Sequence, residues 1–241
     1  MKVLVKGKKP KAVLVDAGGT LMQAVPEPPA VYAATISRYG PPVSPQEVAP
    51  VFAQVWQEMV EEHPRGLDRY HLLKGGERAW WGRFLRKVLE RLHHPAPWAE
   101  VLDELFAIFA RPEQWQVYPE VRSVLTKLKE AGVLLAVVSN WDSRLPALLE
   151  GLGLVRYFDE LLVSSLEGVE KPNPEIFTRA LMRLGVPPEV TTHWGDSPLD
   201  DYRGAEACGI YPVLVDRQGV FVDSYVKAKH LREAYALCFG D

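Results

Sequence analysis

The segment that most constrains this chain is an apolar run that ends in a carboxylate and two glycines. Residues 12–15 read Ala-Val-Leu-Val, and Asp16, Gly18, Gly19 and Thr20 follow. A short run that is apolar on both faces is typical of a central strand in a parallel sheet. Ligands bind at the carboxyl ends of such strands, and glycines let the backbone approach an anion closely. The segment predicts either a nucleophilic Asp beside a phosphate-binding loop or an Asp that only caps the next helix.

The composition favours a globular cytoplasmic protein. The 241 residues are 47% hydrophobic, which is enough to bury a core in one large domain or in a domain with an insert. A net charge of -3 gives no electrostatic reason to expect a nucleic-acid partner. Cys208 and Cys238 are too few for a disulfide scaffold, which favours a reducing compartment. We expect neither a membrane span nor a secretory signal, and therefore a cytoplasmic location without a membrane partner.

After the segment that ends at Thr20, the pattern of apolar residues changes from that of strands to that of helices. Ser44, Pro45 and Glu47 combine an N-cap, a first-turn proline and a capping-box acid, which predicts the start of a long helix. Another helix is expected to begin at Asp68 and to be interrupted near Gly75. This part of the chain therefore reads as an all-helical insert.

The rest of the sequence predicts an α/β fold with a doubly wound parallel sheet. Proline-rich stretches flank the insert as hinges, so the insert is expected to span residues 26–114 and the core residues 1–25 and 115–241. Helical periods then alternate with short apolar strands. These strands are expected at Val133–Val138, Leu161–Val163, Val190–Trp194 and Ile210–Val215. Residues 220–222 and a terminal helix are expected to form a smaller appendix.

Polar residues follow several of these strands: Asp16, Ser139, Asn140, Lys171, Asp196, Asp200 and Asp201. A carboxylate that attacks a phosphoryl group needs a divalent cation to reduce the repulsion between two anions, and donors for the phosphoryl oxygens. Asp16 and Asp196 offer oxygen ligands that suit Mg²⁺, while Ser139 and Lys171 offer donors. Each residue also has a structural interpretation, as a turn, a solvated lysine or a helix cap. Their convergence on one sheet edge favours the chemical interpretation.

In this order the motifs resemble those of haloacid dehalogenase-like hydrolases, and the resemblance covers nearly the whole chain. The matching segments are Asp16–Leu21, Ser139-Asn140, Lys171–Pro174 and Gly195–Asp201. Three further features resemble the rhythmically expressed gene branch of this superfamily: Ser139–Asp142, Trp80-Trp81 and Asp201-Tyr202.

This resemblance implies a Rossmannoid core with a helical cap and Mg²⁺-dependent phosphate transfer through an aspartyl-phosphate on Asp16. The implied catalytic residues are Asp16, Ser139, Asn140 and Lys171. The implied ligands of a small phosphorylated substrate are Gly19, Thr20, Ser139 and Lys171. The implied Mg²⁺ ligands are Asp16, Asp196, Asp201 and the Gly18 carbonyl, with Asp201 favoured over Asp200 as the second acid of the last motif.

Gly18 is the main departure from the family pattern. Most phosphatases of the family have an Asp there, which serves as general acid and then as base, whereas Gly keeps only the carbonyl. A positioned acid or base typically contributes about 10² to 10⁴ in rate, so the chain is expected to be weak toward poor leaving groups. A donor from the cap is the alternative: Asp68, His71 or Glu77.

Glycine at position 18 is also compatible with three other functions. Dehalogenases of the family also lack the second Asp, but they need no metal, which Asp196 indicates here. Phosphonoacetaldehyde hydrolases use a cap lysine, for which Lys74 is the candidate, although it also suits a solvated helix end. A binding or regulatory member without turnover is a third alternative.

Overall fold

The computed structural model describes residues 9–64, 66–222 and 224–240, which form two compact units. The described residues within Met1–Gln23, Arg65–Asp68 and Val117–Asp241 form one, here called the core unit. Those within Ala24–Pro64 and Arg69–Gln116 form the other, here called the helical unit. Every helix among the described residues is too short or too polar to cross a lipid bilayer.

The described residues include eight strands: β1 Ala12–Val15, β2 Met22–Ala24, β3 Trp115–Val117, β4 Leu134–Ser139, β5 Glu160–Val163, β6 Thr191–Gly195, β7 Tyr211–Val215 and β8 Lys227–Ala228. Six of them form a parallel sheet in the order β5-β4-β1-β6-β7-β8, while β2 and β3 pair separately. β1 lies between two neighbours, and none of its residues is more than 1% exposed. The parallel α/β class predicted from the sequence is confirmed.

Helices flank this sheet in the core unit: α5 Val121–Glu130, α6 Leu145–Gly151, α7 Ser164–Glu167, α8 Pro174–Leu184, α9 Gly204–Ala207 and α10 Leu231–Phe239. α8 begins at an N-cap, Asn173, whose side chain accepts from the Glu175 N–H at 2.9 Å. Its apolar face, which includes Ile176 and Phe177, belongs to the same buried cluster as Leu14 of β1. Burying this face against the sheet fixes the loop that precedes α8.

The helical unit contains α1 Pro28–Ile36, α2 Pro45–Glu61, α3 Gly76–Arg91 and α4 Trp98–Phe109. The predicted capping box is confirmed: the Glu47 N–H donates to the Ser44 hydroxyl at 3.3 Å, and the Ser44 N–H donates to Glu47 Oε2 at 2.8 Å. Val55 and Phe84 are fully buried in the apolar core of this unit. This unit therefore has a core of its own.

One helix prediction was wrong. No helix begins at Asp68; the chain from 66 to 75 forms turns, and α3 starts only after Gly75, whose φ of 107° is left-handed. In addition, α1 begins at Pro28, which the sequence analysis did not predict. Proline is compatible with the first helical turn, because the N–H that it lacks has no partner inside the helix there.

Residues 220–222, expected to belong to a smaller appendix with the terminal helix, are irregular and follow a turn. The Asp216 carboxylate accepts the N–H groups of Val220 and Phe221 at 2.9 and 3.2 Å. Those N–H groups are therefore engaged in a turn, and the sheet gains β8 at Lys227–Ala228 instead.

Candidate active site

Parallel register brings the predicted site residues to one edge of the sheet. Val15, the last residue of β1, is paired with Trp194 of β6, and the Asp16 N–H donates to the Trp194 carbonyl at 2.9 Å. β4 ends at Ser139, and Asp196 follows the last residue of β6. Because parallel strands end on the same side, three adjacent strands deliver Asp16, Ser139 and Asp196 to one place.

Lys171 forms a buried bridge between two carboxylates. Its Nζ donates to Asp16 Oδ1 at 2.7 Å and to Asp201 Oδ1 at 2.6 Å. Burial lowers the pKa of Lys171, but the charges of Asp16 and Asp201 outweigh it and raise that pKa above its usual value. Burial likewise raises the pKa of Asp201, but Lys171 and a hydrogen bond from His193 hold it well below its usual range. The bridge therefore keeps Lys171 and Asp201 ionised.

Asn140 and Ser139 contact different members of this bridge, the backbone of Lys171 and the side chain of Asp16. The Asn140 side chain exchanges two hydrogen bonds with the Lys171 backbone: its Nδ2 donates to the carbonyl at 2.9 Å, and its Oδ1 accepts the N–H at 2.7 Å. Asn140 therefore fixes the Lys171 loop. Ser139 is 1% exposed, and its hydroxyl donates to the Asp16 carboxylate. Ser139 and Lys171 thus both donate hydrogen bonds to the Asp16 carboxylate.

His193 is a site residue that the sequence analysis did not identify. Its Nε2 lies 2.8 Å from Asp201 Oδ1, and the Ser197 N–H donates to Asp201 Oδ2 at 2.9 Å. Since Asp201 is ionised, Nε2 carries the proton in this contact. One feature of the sequence could have identified His193: three consecutive polar residues, Thr191, Thr192 and His193, lie in a segment predicted to be a strand. All three are fully buried in β6. Asp201 is held by three donors and cannot rotate freely.

The acidic cluster fits a hard cation. One carboxylate oxygen each from Asp16, Asp196 and Asp201 lies within 4.8 Å of the others. Burial raises the pKa of Asp16, and burial together with repulsion from Asp16 and Asp201 raises the pKa of Asp196 to about 8. The charge of Lys171 offsets only one of three carboxylates, so a divalent ion with oxygen ligands would relieve the remaining repulsion. These three residues would hold Mg²⁺, and the Gly18 carbonyl belongs to the same loop.

The loop after Asp16 is shaped by contacts that side chains would block. Gly19 has a left-handed φ of 70°, and a Cβ there would lie 2.1 Å from Asp196 Oδ2. Only glycine fits this position. Thr20, an expected substrate ligand, is fully buried, and its hydroxyl has no hydrogen-bond partner among the described residues.

Gly18 is not in the left-handed region, but a Cβ there would lie 2.9 Å from Cζ3 of Trp141. The Trp141 backbone is anchored, since its N–H donates to the Ser164 hydroxyl and its carbonyl accepts from the Ser165 N–H, both at 3.2 Å. The indole ring therefore occupies the space in which the missing second carboxylate would begin.

Replacing Asp196 by Asn should change the pH dependence of stability without metal. An unfolded Asp ionises near pH 4, whereas Asp196 keeps its proton in the folded protein up to about pH 8. The stability associated with this raised pKa is fully present below pH 4 and is lost as the pH rises toward 8. We therefore expect Asp196→Asn to have a higher Tm than the wild type at pH 8 and the same Tm near pH 4.

Mg²⁺ gives the complementary measurement in the same thermal assay. At about a hundred times its Kd, a ligand stabilises a folded protein by about 2.7 kcal/mol. We expect Mg²⁺ to raise the wild-type Tm more at pH 8 than at pH 6, because ligands must be deprotonated, and to act far more weakly on Asp196→Asn. An equal Mg²⁺ response of the two proteins would place the metal elsewhere.

Comparison with known proteins places these motifs in a family. Residues 10–209 match a hydrolase family described as haloacid dehalogenase-like hydrolase. The chain is 36% identical over 187 residues to Haloacid dehalogenase-like hydrolase domain-containing protein 3 of Mus musculus, covering 76% of this chain and 73% of that protein. It is 29% identical over 221 residues to Rhythmically expressed gene 2 protein of Drosophila melanogaster, covering 85% and 82%. It is 36% identical over 142 residues to Phosphoserine phosphatase of Thermus thermophilus, covering 58% and 57%.

Solved structures agree on the fold. A HAD phosphatase from Thermococcus onnurineus superposes with a TM-score of 0.65 at 25% identity, covering 96% of this chain and 99% of that one. A dehalogenase with an intermediate complex superposes with a TM-score of 0.70 at 22% identity, covering 99% and 98%, which shows a shared fold alone. The sequence match over residues 10–209 and the predicted motifs lead to one conclusion: the chain belongs to the haloacid dehalogenase-like hydrolase family.

Proposed function

We propose that this protein is a Mg²⁺-dependent phosphatase that passes the phosphoryl group of a small phosphorylated substrate to Asp16 and then to water. The observation that carries this proposal is the buried Lys171 bridge, in which one ammonium group contacts Asp16 at 2.7 Å and Asp201 at 2.6 Å. Phosphatases among the relatives and the solved structures support the same reaction class. The partly exposed Asp196 gives the cluster an acid that a metal-free reaction would not need.

The side chains of the site have separate roles in the proposed reaction. A carboxylate oxygen of Asp16 attacks phosphorus, the bond from phosphorus to the leaving oxygen breaks, and water then hydrolyses the aspartyl-phosphate to release inorganic phosphate and free Asp16. Lys171 and Ser139 already donate toward Asp16, so they are placed to donate to the phosphoryl oxygens. Bound Mg²⁺ would supply the positive charge that reduces the repulsion between nucleophile and phosphoryl group.

Asp201 and Asp200 form a matched pair that tests the assignment of the second acid. Asp201→Asn removes the charge that faces Lys171 and leaves one of its three donors poorly matched, so we expect a stability loss of about 1–3 kcal/mol and a large fall in turnover. Asp200→Asn changes an acid outside the cluster, and we expect a smaller loss of stability than that of Asp201→Asn. Urea unfolding and turnover would be measured for both. Equal losses would contradict the role given to Asp201.

The function is best tested by a screen of phosphorylated metabolites and aryl phosphates, with and without Mg²⁺, run beside 2-chloropropionate and phosphonoacetaldehyde. Release of phosphate that requires Mg²⁺ supports the proposal. Release of chloride without metal would identify a dehalogenase and overturn it. Turnover of phosphonoacetaldehyde would favour the alternative that uses Lys74, although that lysine is exposed in a turn, as a solvated lysine would be. Binding of phosphate esters without any turnover would favour a regulatory protein.

A further inference from the structure

Arg217 connects the loop after Asp16 to the body of the core unit. It follows β7 and sits in the turn begun by Asp216, at the same sheet edge as the site. Its Nε donates to the Gly19 carbonyl at 3.0 Å, and its Nη2 donates to the Thr20 carbonyl at 2.7 Å. Two consecutive carbonyls of the loop are therefore bound by one guanidinium group.

The guanidinium group is itself fixed from two sides. Its Nη2 also donates to Glu120 Oε1 at 2.8 Å, and the same oxygen accepts the Leu231 N–H of α10 at 3.3 Å. On another side the guanidinium carbon lies 3.4 Å from the centroid of the Tyr118 ring. Glu120 is 7% exposed, so the ion pair is shielded from water and from salt. Arg217 is thus held independently of the loop that it binds.

Peptide planarity gives this contact a directional effect. A trans peptide points its N–H away from its carbonyl, so binding the Gly19 and Thr20 carbonyls turns the N–H groups of Thr20 and Leu21 away from Arg217. The Leu21 N–H then donates to the Ala17 carbonyl at 2.8 Å. The two hydrogen bonds from Arg217 therefore set the orientation of the loop that begins at the nucleophile.

We propose that Arg217 is a positioning residue for this loop: it acts on catalysis by fixing the Gly19 and Thr20 peptides and, through them, the placement of Asp16. This inference rests on the proposed role of Asp16 as nucleophile. No feature of the sequence motifs pointed to Arg217, because 198 residues separate it from Gly19. Among the described residues, its hydrogen bonds go to Gly19, Thr20 and Glu120, so it would act through the loop.

The test compares Arg217→Met and Arg217→Lys with Arg122→Met. Arg122 is a matched control, because it also donates to two consecutive carbonyls, those of Leu152 and Gly153, in a loop of the core unit that carries no site residue. A misplacement of about 1 Å in a reacting group costs on the order of 10² in rate. We expect Arg217→Met to lower kcat by about 10- to 100-fold with little change in KM, Arg217→Lys to recover part of the loss, and Arg122→Met to retain wild-type kcat.

Amide hydrogen exchange provides a second readout that does not depend on turnover. We expect faster exchange at Leu21 and Met22 in Arg217→Met, with unchanged exchange in β1 and β4. Exchange at wild-type rates, or equal kcat losses in the Arg217 and Arg122 variants, would overturn the inference. If the wild type hydrolyses no phosphate ester, the proposed function fails, and the exchange data still decide whether Arg217 holds the loop. Should Arg217→Met not fold, Arg217→Lys carries both measurements.

Discussion

Asp16→Asn will lose turnover by about 10⁴-fold or more while remaining folded. The amide has nearly the shape of the carboxylate but is a poor nucleophile, so the covalent step cannot occur. Its oxygen can still accept the Lys171 hydrogen bond that Asp16 accepts at 2.7 Å. Burial already raises the pKa of Asp16, so a neutral group at this place removes repulsion within the acidic cluster. We therefore expect a Tm without metal at or above that of the wild type.

Two measurements make this prediction decisive. Steady-state turnover of an aryl phosphate in excess Mg²⁺ gives the rate loss, and thermal unfolding without metal shows whether the fold persists. Acid quenching followed by peptide mass analysis should find a phosphoryl group on Asp16 in the wild type only. Equal turnover by the two proteins would refute the assignment of the nucleophile.

Gly18→Asp will accelerate hydrolysis of poor leaving groups by up to about 10² to 10⁴ when Trp141 is shortened to Ala, but not in the wild-type background. The backbone at Gly18 does not require glycine; the obstacle is the Trp141 ring, 2.9 Å from the position of a Cβ. Removing the ring frees the space for a carboxyl group that can protonate the leaving oxygen and later accept a proton from water. Gly18→Asn with Trp141→Ala is the matched control, because it has the same size and no acid.

The wild type should reveal the missing acid through its choice of substrate. Without a proton donor at residue 18 the leaving oxygen departs as an anion, so aryl phosphates should react faster than alkyl phosphates. Water attack also lacks its base, so a burst of phenol should precede a slow steady rate. The Gly18→Asp, Trp141→Ala protein should lose both features. Equal wild-type rates on alkyl and aryl phosphates without a burst would mean that another residue donates the proton.

The sequence alone determined those features that depend on short segments. The apolar run at residues 12–15 is β1, and the capping box at Ser44 starts α2, because periodicity and caps are local properties of a few turns or residues. The sequence also located Asp16, Ser139 and Asp196 at strand ends. The carboxyl ends of parallel strands lie at one edge of the sheet, and this does not depend on the conformation of the connecting loops. A local signal was wrong after Asp68, where the chain forms turns and the helix begins only at Gly76.

Only the tertiary structure decided how these residues act on one another. In the folded chain, Asn140 hydrogen-bonds to the backbone of Lys171, and His193 hydrogen-bonds to Asp201. The Trp141 ring lies against Gly18, and Arg217 donates to the carbonyls of Gly19 and Thr20. These contacts depend on strand register and on the paths of loops between distant segments, and no short pattern specifies either. An arginine in a turn and a histidine in a strand have many possible partners in a sequence, and only the packing of distant segments selects the partners that each of them contacts.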